Sequence, residues 1–526
     1  MSSNGRNRGY IGRNEITSPK GVIDGRQQYL NEEINNWNIG TDWVRPIEWL
    51  SIPGYTSGQQ IVYGLLAITD DELDSNSIGM QCSGAYNVNW GDGTTGSFSS
   101  AGIARKQYNY NSISTTSGTT SLGYKQVLVT VTPQSGSNLT SVNFGIQGVT
   151  GASTFMQGKW LEFTCNLPSC TSLTLVTIGA SNPWLKKVNV TALPTTSTAL
   201  DRSLNAPNLE SVYYPPNWRP TNIQSAFLNN KNLRQAPYIE TSLVTSMNAS
   251  FRNSGILNVP PYNYSSVTNA ISIFQECYDL KSCPFVLTMP VLSSNSNSIF
   301  SNCSKLEYVK GLSLPNATTM ASCFQSNTSL KEVGDIFIPK ITTIQNMFLN
   351  CVSLEKLGTI TGGTGIVNAN SAFSGTRLKT APTLDLRNCT TATSMFFSNQ
   401  VLENVPGYTF GNNATLAGMF STCYSLKKLP SMNFNNIAVV DSGSGEQQRF
   451  TYFCYNLESF PVKNLRVSMS LLNCRFGFTA LSEVFAGLTG ISGPSATLII
   501  TGNPGASGIT AGQIAGATAK GWTITL

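Results

Sequence analysis

The sequence predicts a mainly β chain in which an N-terminal arm leads into an antiparallel β-sandwich and then a long parallel solenoid of about thirteen coils with a C-terminal cap. Three observations carry this reading. One residue frame recurs from about residue 150 onward, short β-type runs alternate with Gly, Ser, Asn and Thr clusters between about 50 and 135, and residues 1 to about 45 hold few apolar anchors. The expected boundaries are 1–48 for a docking arm, 49–136 for the sandwich, 137–475 for the solenoid and 476–526 for the cap. A chain of 526 residues is too long for one compact core, and a repeat array is the form in which a single unit can grow without limit.

In the arm, Arg6, Arg8, Arg13, Lys20 and Arg26 outnumber Glu15 and Asp24. A segment of this composition cannot bury enough apolar surface to order itself, so it is read either as a free tail or as a docking arm held by a partner. Its stretch GVIDGRQQYLNEEINNW resembles short segments at the start of many tailed-phage structural proteins, particularly those of cyanophages. The resemblance implies attachment to other virion proteins through the arm.

The runs IVYGLLAI, YNVNW and KQVLVTVTP, each bounded by turn-forming clusters, read as strands of an antiparallel sandwich. The stretch YNVNWGDGTTGSF, followed by a Tyr-rich run and YKQVLVTVTP, resembles the PKD family of immunoglobulin-like domains. Trp90, Gly91, Asp92 and Gly93 fill the WGDG-type motif of that family. Asp92 with Gly93 suits a tight turn on backbone grounds, and a calcium-binding or catalytic role is the alternative for Asp92. Asp70, Asp71, Glu72 and Asp74 read as a solvated loop, with calcium binding as the alternative.

The recurring frame is Phe-x-x-Cys/Asn-x-x-Leu-x-x-Val/Leu. Its Phe falls at 227, 251, 274, 300, 324, 348, 373, 396, 420 and 450, a step of 23 to 26 residues until a final step of 30. Extending the step backward reaches 203, 179 and 155, where the Leu persists while the Phe is lost at two of the three. A period near 24 is the signature of a leucine-rich or related parallel solenoid, in which each coil buries its apolar ladder against its neighbours. The frame Phe, Leu and Val positions are therefore core. Cys277, Cys303, Cys351, Cys423 and Cys454 share one slot with Asn230 and Asn327, which suits a small buried corner residue and not a metal ligand or nucleophile.

The position after the frame Leu tests the register, because equivalent side chains on adjacent parallel coils stand about 5 Å apart and identical charges there repel. That column reads Glu162, Lys186, Glu210, Arg234, Leu257, Lys281, Glu307, Lys331, Glu355, Lys379, Glu403, Lys427 and Glu458. The signs alternate wherever consecutive coils both carry a charge. Each exposed pair contributes at most about 1 kcal/mol, so the column is expected to set register and solubility, with a charged recognition stripe as the alternative. Beyond the array, a strand (ATLIIT), an Ala-rich helix (TAGQIAGATAKG) and a last strand (WTITL) are expected to close its open edge.

Segments such as AFLNNKNLRQAP, IFQECYDLKSCP and AFSGTRLKTAP resemble the bacterial-surface type of leucine-rich repeat. That family consists typically of adhesins and surface-exposed structural proteins, and similar arrays with a KGWTI-type ending occur in phage virions. Several repeats here lack the closing Pro of the family pattern.

Zero histidine excludes Ser-His-Asp and Cys-His chemistry and His-containing zinc sites. Charged residues make up only 11% of the chain, and its surface must consequently be built from Ser, Thr, Asn and Gln, as suits rigid assemblies. A net charge of +6 spread over the whole chain, with no basic stripe, gives no reason to expect nucleic acid. No apolar run approaches about eighteen residues and none follows the basic N-terminus, so neither a signal peptide nor membrane insertion is expected. No cofactor and no metal are expected. The expected function is a non-enzymatic phage virion protein, a tail fibre or tail-associated adhesin on the virion surface. Its solenoid would meet a host cell-surface protein or glycan, and the chain would form a homo-oligomer. A capsid decoration protein and a bacterial cell-surface adhesin are the alternatives. A depolymerase with paired carboxylates is disfavoured, because the array's Glu residues are flanked by cations that lower a carboxyl pKa when a general acid needs it raised.

Overall fold

The computed structural model describes residues 43–526, apart from 72–75, 115–118, 150–157, 177–181, 196–203, 294–295, 442–448, 492 and 494. Most of the expected arm, and Glu72 and Asp74 of the acidic loop, lie outside the described residues. The described chain is mainly β, a parallel β-solenoid of about 14 turns that is continuous at its N-terminal end with two packed sheets.

Strand β1 (Ile61–Ile68) is buried at every position. Its uninterrupted apolar run reflects cover on both faces, where a half-exposed strand would alternate. On one side Leu65 and Ala67 join Trp49, Tyr124 and Leu161 in a core cluster, with Trp43, Leu50 and Trp184 packed against it. Trp49 Nε1 donates to the Tyr124 hydroxyl at 3.0 Å. Residues 43–50, at the end of the expected arm, therefore lie against the sheet as part of its cover.

The next strands are β2 (Ser77–Ser83), β3 (Tyr86–Asn89), β4 (Thr95–Phe98), β5 (Ile103–Gln107), β6 (Lys125–Pro133) and β7 (Ser141–Ile146). They are followed by β8 (Trp160–Asn166), β9 (Ser172–Thr174), β10 (Lys187–Ala192) and β11 (Ser211–Tyr213). One sheet has the order β11-β10-β8-β1-β6-β3-β4 and the other β5-β2-β7-β9. Phe144 of β7 packs on Trp160 and Phe163 of β8, with ring centroids 5.3 and 4.9 Å apart, and so ties the two sheets together. In both sheets antiparallel pairing gives way to parallel pairing, at β8 with β10 and at β7 with β9. The sheets thus run without interruption across residue 137 into the first coils.

Further along, β12 (Ser282–Thr288), β13 (Tyr308–Ser313), β14 (Glu332–Ile338), β15 (Lys356–Leu357) and β16 (Ile360–Gly362) form one parallel ladder. Later coils hold only two- or three-residue strands, with β17 (Ala414–Thr415) on β19 (Ile437–Val439) and β18 (Met432–Asn433) on β20 (Val462–Lys463). A second line of contact runs through parallel bridges five residues before the frame Phe, linking Thr343, Asn368, Thr391 and Thr415 in succession.

The frame Phe residues are buried and form a stack. From Phe227 to Phe420 neighbouring rings lie 5.0 to 5.9 Å apart and within 22° of parallel. Phe450, after the 30-residue step, turns edge-on to Phe420 at 89° and 5.3 Å. The longer coil does not keep the ring in register.

Around each frame Phe from Phe227 to Phe420 the backbone is left-handed two residues before and two residues after, as at Ser322 (φ 56°) and Ser326 (φ 59°) around Phe324. The N–H groups of Ser322, Phe324 and Ser326 donate to carbonyls of Gln345, Met347 and Leu349 on the next coil at 2.9, 2.8 and 2.7 Å. The residues between them bond locally, as Gln325 N–H does to the Ser322 carbonyl at 3.2 Å. Left-handed backbone costs a non-Gly residue roughly 1–2 kcal/mol, and Asn and small polar residues bear it best. Ser, Asn, Gly, Ala and Thr fill these positions in nearly every coil, and Glu276 is an exception. The Ser and Asn content is thus a backbone requirement as well as a surface property.

At the C-terminal end β21 (Met469–Ser470), β22 (Ala496–Ile499) and β23 (Trp522–Thr525) form a parallel sheet. Helix α1 (Phe478–Ala486) precedes β22, and helix α2 (Ala511–Ala519) lies between β22 and β23. Thr510 and Gln513 cap α2 reciprocally, and Gln513 Nε2 donates to Ser482 Oγ at 3.0 Å, joining the helices.

Candidate functional site

The charged column is built on coil-to-coil backbone bonds. The N–H of Lys281 donates to the carbonyl of Leu257, Glu307 to Lys281, Lys331 to Glu307 and Glu355 to Lys331, at 2.8 to 3.0 Å. Glu403 donates likewise to Lys379 at 2.9 Å, and Glu458 to Lys427 at 2.8 Å. These residues stand directly above one another at the entry to the strand layer.

Their side chains pair in part. Lys186 meets Glu210 at 2.5 Å, Lys331 meets Glu307 at 2.8 Å, and Glu355 is met by Arg377 at 3.8 Å. The Lys331 ammonium, with Lys281 beyond it, holds the Glu307 carboxyl below the usual range. Lys379, Glu403, Lys427 and Glu458 form no ion pair among the described residues. A second, unforeseen column lies one residue on, where Glu332 meets Lys356 at 3.5 Å. Where the regular strands end, Glu355, Lys356, Arg377 and Lys379 border an open groove of about 910 Å³.

Besides Glu355, whose partner Arg377 lies outside the column, two column members depart from the expected pairing. The Glu162 side chain is 1% exposed and is bound by Arg45 at 2.6 Å and Lys187 at 3.1 Å, with no bond to Lys186. Strand pairing sets Glu162 opposite Lys187, and residues 43–50 cover that face, so the carboxylate is enclosed between two cations. Arg234 pairs with Asp279, not with Glu210, and Asp279 also binds Lys305 at 2.6 Å. Lys305 and Arg234 together hold the Asp279 carboxyl below its ordinary value.

Trp90, Gly91, Asp92 and Gly93 form the turn of the β3–β4 hairpin, whose strands pair from Tyr86–Phe98 to Asn89–Thr95. Gly91 and Gly93 have φ of 76° and 87°, and a Cβ on Gly91 would meet the Leu128 carbonyl oxygen at 2.7 Å. Asp92 Oδ1 accepts from Thr94 N–H at 3.0 Å and from its hydroxyl at 2.6 Å, while Oδ2 meets Lys106 at 2.6 Å. Burial alone would raise the Asp92 pKa, but the bonds from Lys106 and Thr94 outweigh it and the net shift is downward. Trp90 is buried beneath, edge-on to Phe98 at 6.3 Å. Asp71 of the acidic loop pairs with Lys159 at 2.6 Å.

The Cys/Asn slot proves to be a hydrogen-bonding position. Cys277, Cys303, Cys351, Cys423 and Cys454 each donate the thiol to the frame Phe carbonyl of the preceding coil, at 2.9 to 3.2 Å. Asn230 and Asn327 instead accept, from the N–H of Ala206 at 2.9 Å and of Cys303 at 2.7 Å. All twelve cysteines are buried and unpaired, and burial pushes the Cys351 and Cys423 thiols up to about 12. A thiol in that state is no nucleophile at neutral pH.

The class that the fold defines is a parallel β-solenoid of roughly 24-residue coils bearing a partly paired charged column. Residues 219–308, which span the coils of Phe227 to Phe300, match the family described as "Mycoplasma protein of unknown function, DUF285". Among curated protein sequences none matches the chain. A solved structure titled "Crystal structure of TLR13-ssRNA13 complex" is similar at 12% identity and a TM-score of 0.15, over 70% of this chain and 63% of that one. The chain thus spans less than two thirds of that relative.

Proposed function

We propose that the chain is a non-enzymatic structural protein of a tailed-phage virion, a tail fibre or tail-associated adhesin that presents its solenoid to the host surface. The observation that carries the reading is the continuity of the described chain. Two sheets run directly into the coils through β8 and β7, and the coils pair in parallel, the frame-Phe line donating N–H groups to the following coil and the charged column to the preceding one. Such a body offers a long, stiff surface on which many weak contacts add, and display in several copies multiplies their effect. The phage origin rests on the sequence resemblances of the N-terminal segment and of the KGWTI-type ending.

In this reading the two packed sheets are an immunoglobulin-like domain, the coils are of leucine-rich-repeat type, and residues 476–526 cap the solenoid's open edge. The arm meets other virion proteins, and a host protein or glycan meets the solenoid. The chain acts as a homo-oligomer on the virion surface, without nucleic acid and without membrane insertion. A capsid decoration role uses the same parts. The bacterial surface adhesin is favoured by one observation, the likeness of residues 219–308 to a family described from Mycoplasma.

Immuno-electron microscopy of purified particles and of cells, with serum raised against the full chain, separates these readings. Label on the tail supports the adhesin and label on the head supports decoration. Label confined to the cell envelope overturns the virion reading.

A further inference from the structure

The sequence directs attention to the solenoid face, yet a concave aromatic site lies elsewhere, where the two-sheet region meets the first coils. Trp43, Trp49, Tyr124 and Trp184 line a cleft of about 620 Å³. Trp43 lies 6.1 Å from Trp49 at 55°, and Tyr124 lies 5.8 Å from Trp184 at 90°, so the rings present several planes. Trp49 and Tyr124 are buried and Trp43 and Trp184 half-buried, while Val44 and Leu122 at the rim are 83% and 78% exposed. Volume, aromatic lining and a few polar groups at the edge are the attributes of a small-ligand site.

The charges around the cleft decide the class of ligand. Arg45, Lys159 and Lys187 lie over the rings of Trp49, Trp184 and Trp43 at 5.5, 5.9 and 5.3 Å. A cationic ligand would meet these cations at the same rings. Lys159 is paired with Asp71 and Lys186 at the rim with Glu210, while Arg45 and Lys187 share the one carboxylate of Glu162. Four cations thus face three paired carboxylates, and the charge of Glu48 closes the count, so the setting as a whole calls for no anion. Glu48, which accepts from Ser121 N–H at 2.8 Å and Ser121 Oγ at 3.0 Å, is the one lining carboxylate without a cation among the described residues. A carboxylate can accept about four hydrogen bonds, so Glu48 has capacity beyond these two. Aromatic planes beside an acceptor with spare lone pairs, in a charge-balanced setting, suit a molecule with apolar C–H faces and a rim of hydroxyl donors.

We propose that the Trp43–Trp184 cleft binds a neutral saccharide, with pyranose faces stacked on the half-buried tryptophans and a sugar hydroxyl donating to Glu48. The source of that sugar, a host surface glycan, rests on the attachment reading above, whereas the site itself does not. The test titrates the full chain with maltohexaose, chitohexaose and laminarihexaose, read by tryptophan fluorescence and by calorimetry, with a proline-rich peptide as the competing class. Expected is saturable binding of at least one saccharide, weakened about tenfold or more by Trp184→Ala and by Glu48→Gln. Glu48→Gln leaves the apolar packing in place and covers the case in which Trp184→Ala unfolds the chain. Binding unchanged in both variants, or a Trp184-dependent response to the peptide alone, overturns the proposal. Absence of saccharide binding from a chain that still attaches to cells overturns the cleft and leaves the attachment reading standing.

Discussion

Arg234 reaches past the coil that carries Leu257 and pairs with Asp279, which also holds Lys305. Leu257 is the one uncharged member of the sequence column, and without a carboxylate nearby Arg234 and Lys281 would face each other across it. Asp279 supplies from the outer surface the charge that the column lacks. Asp279→Asn is expected to lower stability by less than about 1 kcal/mol in low salt and by nothing measurable in high salt. Adding Leu257→Glu is expected to restore the loss. Because the Asp279 carboxyl is depressed in the fold, its contribution is present above its ordinary value of 3.8 and is lost as pH falls through the lower folded value. Thermal melts of the single and double variants against pH and salt check both statements.

The shared Cys/Asn slot predicts how a substitution there behaves. Cys351→Ser keeps a donor for the Phe324 carbonyl and is expected to be nearly neutral. Cys351→Val removes the donor from a buried site and is expected to cost about 1–3 kcal/mol by denaturant titration. With all twelve thiols buried, a thiol reagent at mildly alkaline pH should label none in the native chain and all twelve in denaturant.

Left-handed backbone beside the frame Phe residues from Phe227 to Phe420 makes a third prediction. At Ser322, φ is 56°, so Ser322→Gly is expected to be neutral or slightly stabilising and Ser322→Val to cost about 1–2 kcal/mol. Equal effects of the two substitutions in urea unfolding would show that the backbone there is not held left-handed.

Asp441 behaves in the opposite sense to Asp279. Burial pushes its carboxyl from 3.8 up to about 6, against the bond it accepts from Phe450 N–H at 2.7 Å. With the folded value raised, the neutral form is favoured and stability is lost as pH rises through about 6, by about 3 kcal/mol in all. Asp441→Asn keeps an acceptor for Phe450, so it is expected to gain most of that stability at pH 8 and little at pH 4. A pH-independent difference in melting temperature would contradict this.

The solenoid was legible because its Phe and Leu recur at a nearly constant step and because Glu307 and Lys331 could be set side by side by counting alone. Pairing that depends on a second segment was not legible. Glu162 keeps its place in the count, but Arg45 approaches it from 117 residues away and encloses it. The hydrogen bond of the Cys/Asn slot was hidden because a thiol donor and an amide acceptor look interchangeable in sequence while pointing to opposite backbone groups. Helix α1 went unread, although Leu481, Val484 and Phe485 have helical spacing, because Gly477 supplies no side-chain cap to mark its start. The aromatic cleft had no signal at all, since Trp43, Tyr124 and Trp184 are brought together only by the covering of β1 and β8.

The central claim, that the chain attaches a particle to a cell surface, is tested most directly by competition. Purified full chain is added to intact host cells, its saturable binding is measured, and the adsorption of particles is followed in its presence. The account predicts saturable binding that inhibits adsorption in proportion to occupancy. A folded chain that does not bind at a valency matched to the particle, and leaves adsorption unchanged, would contradict it.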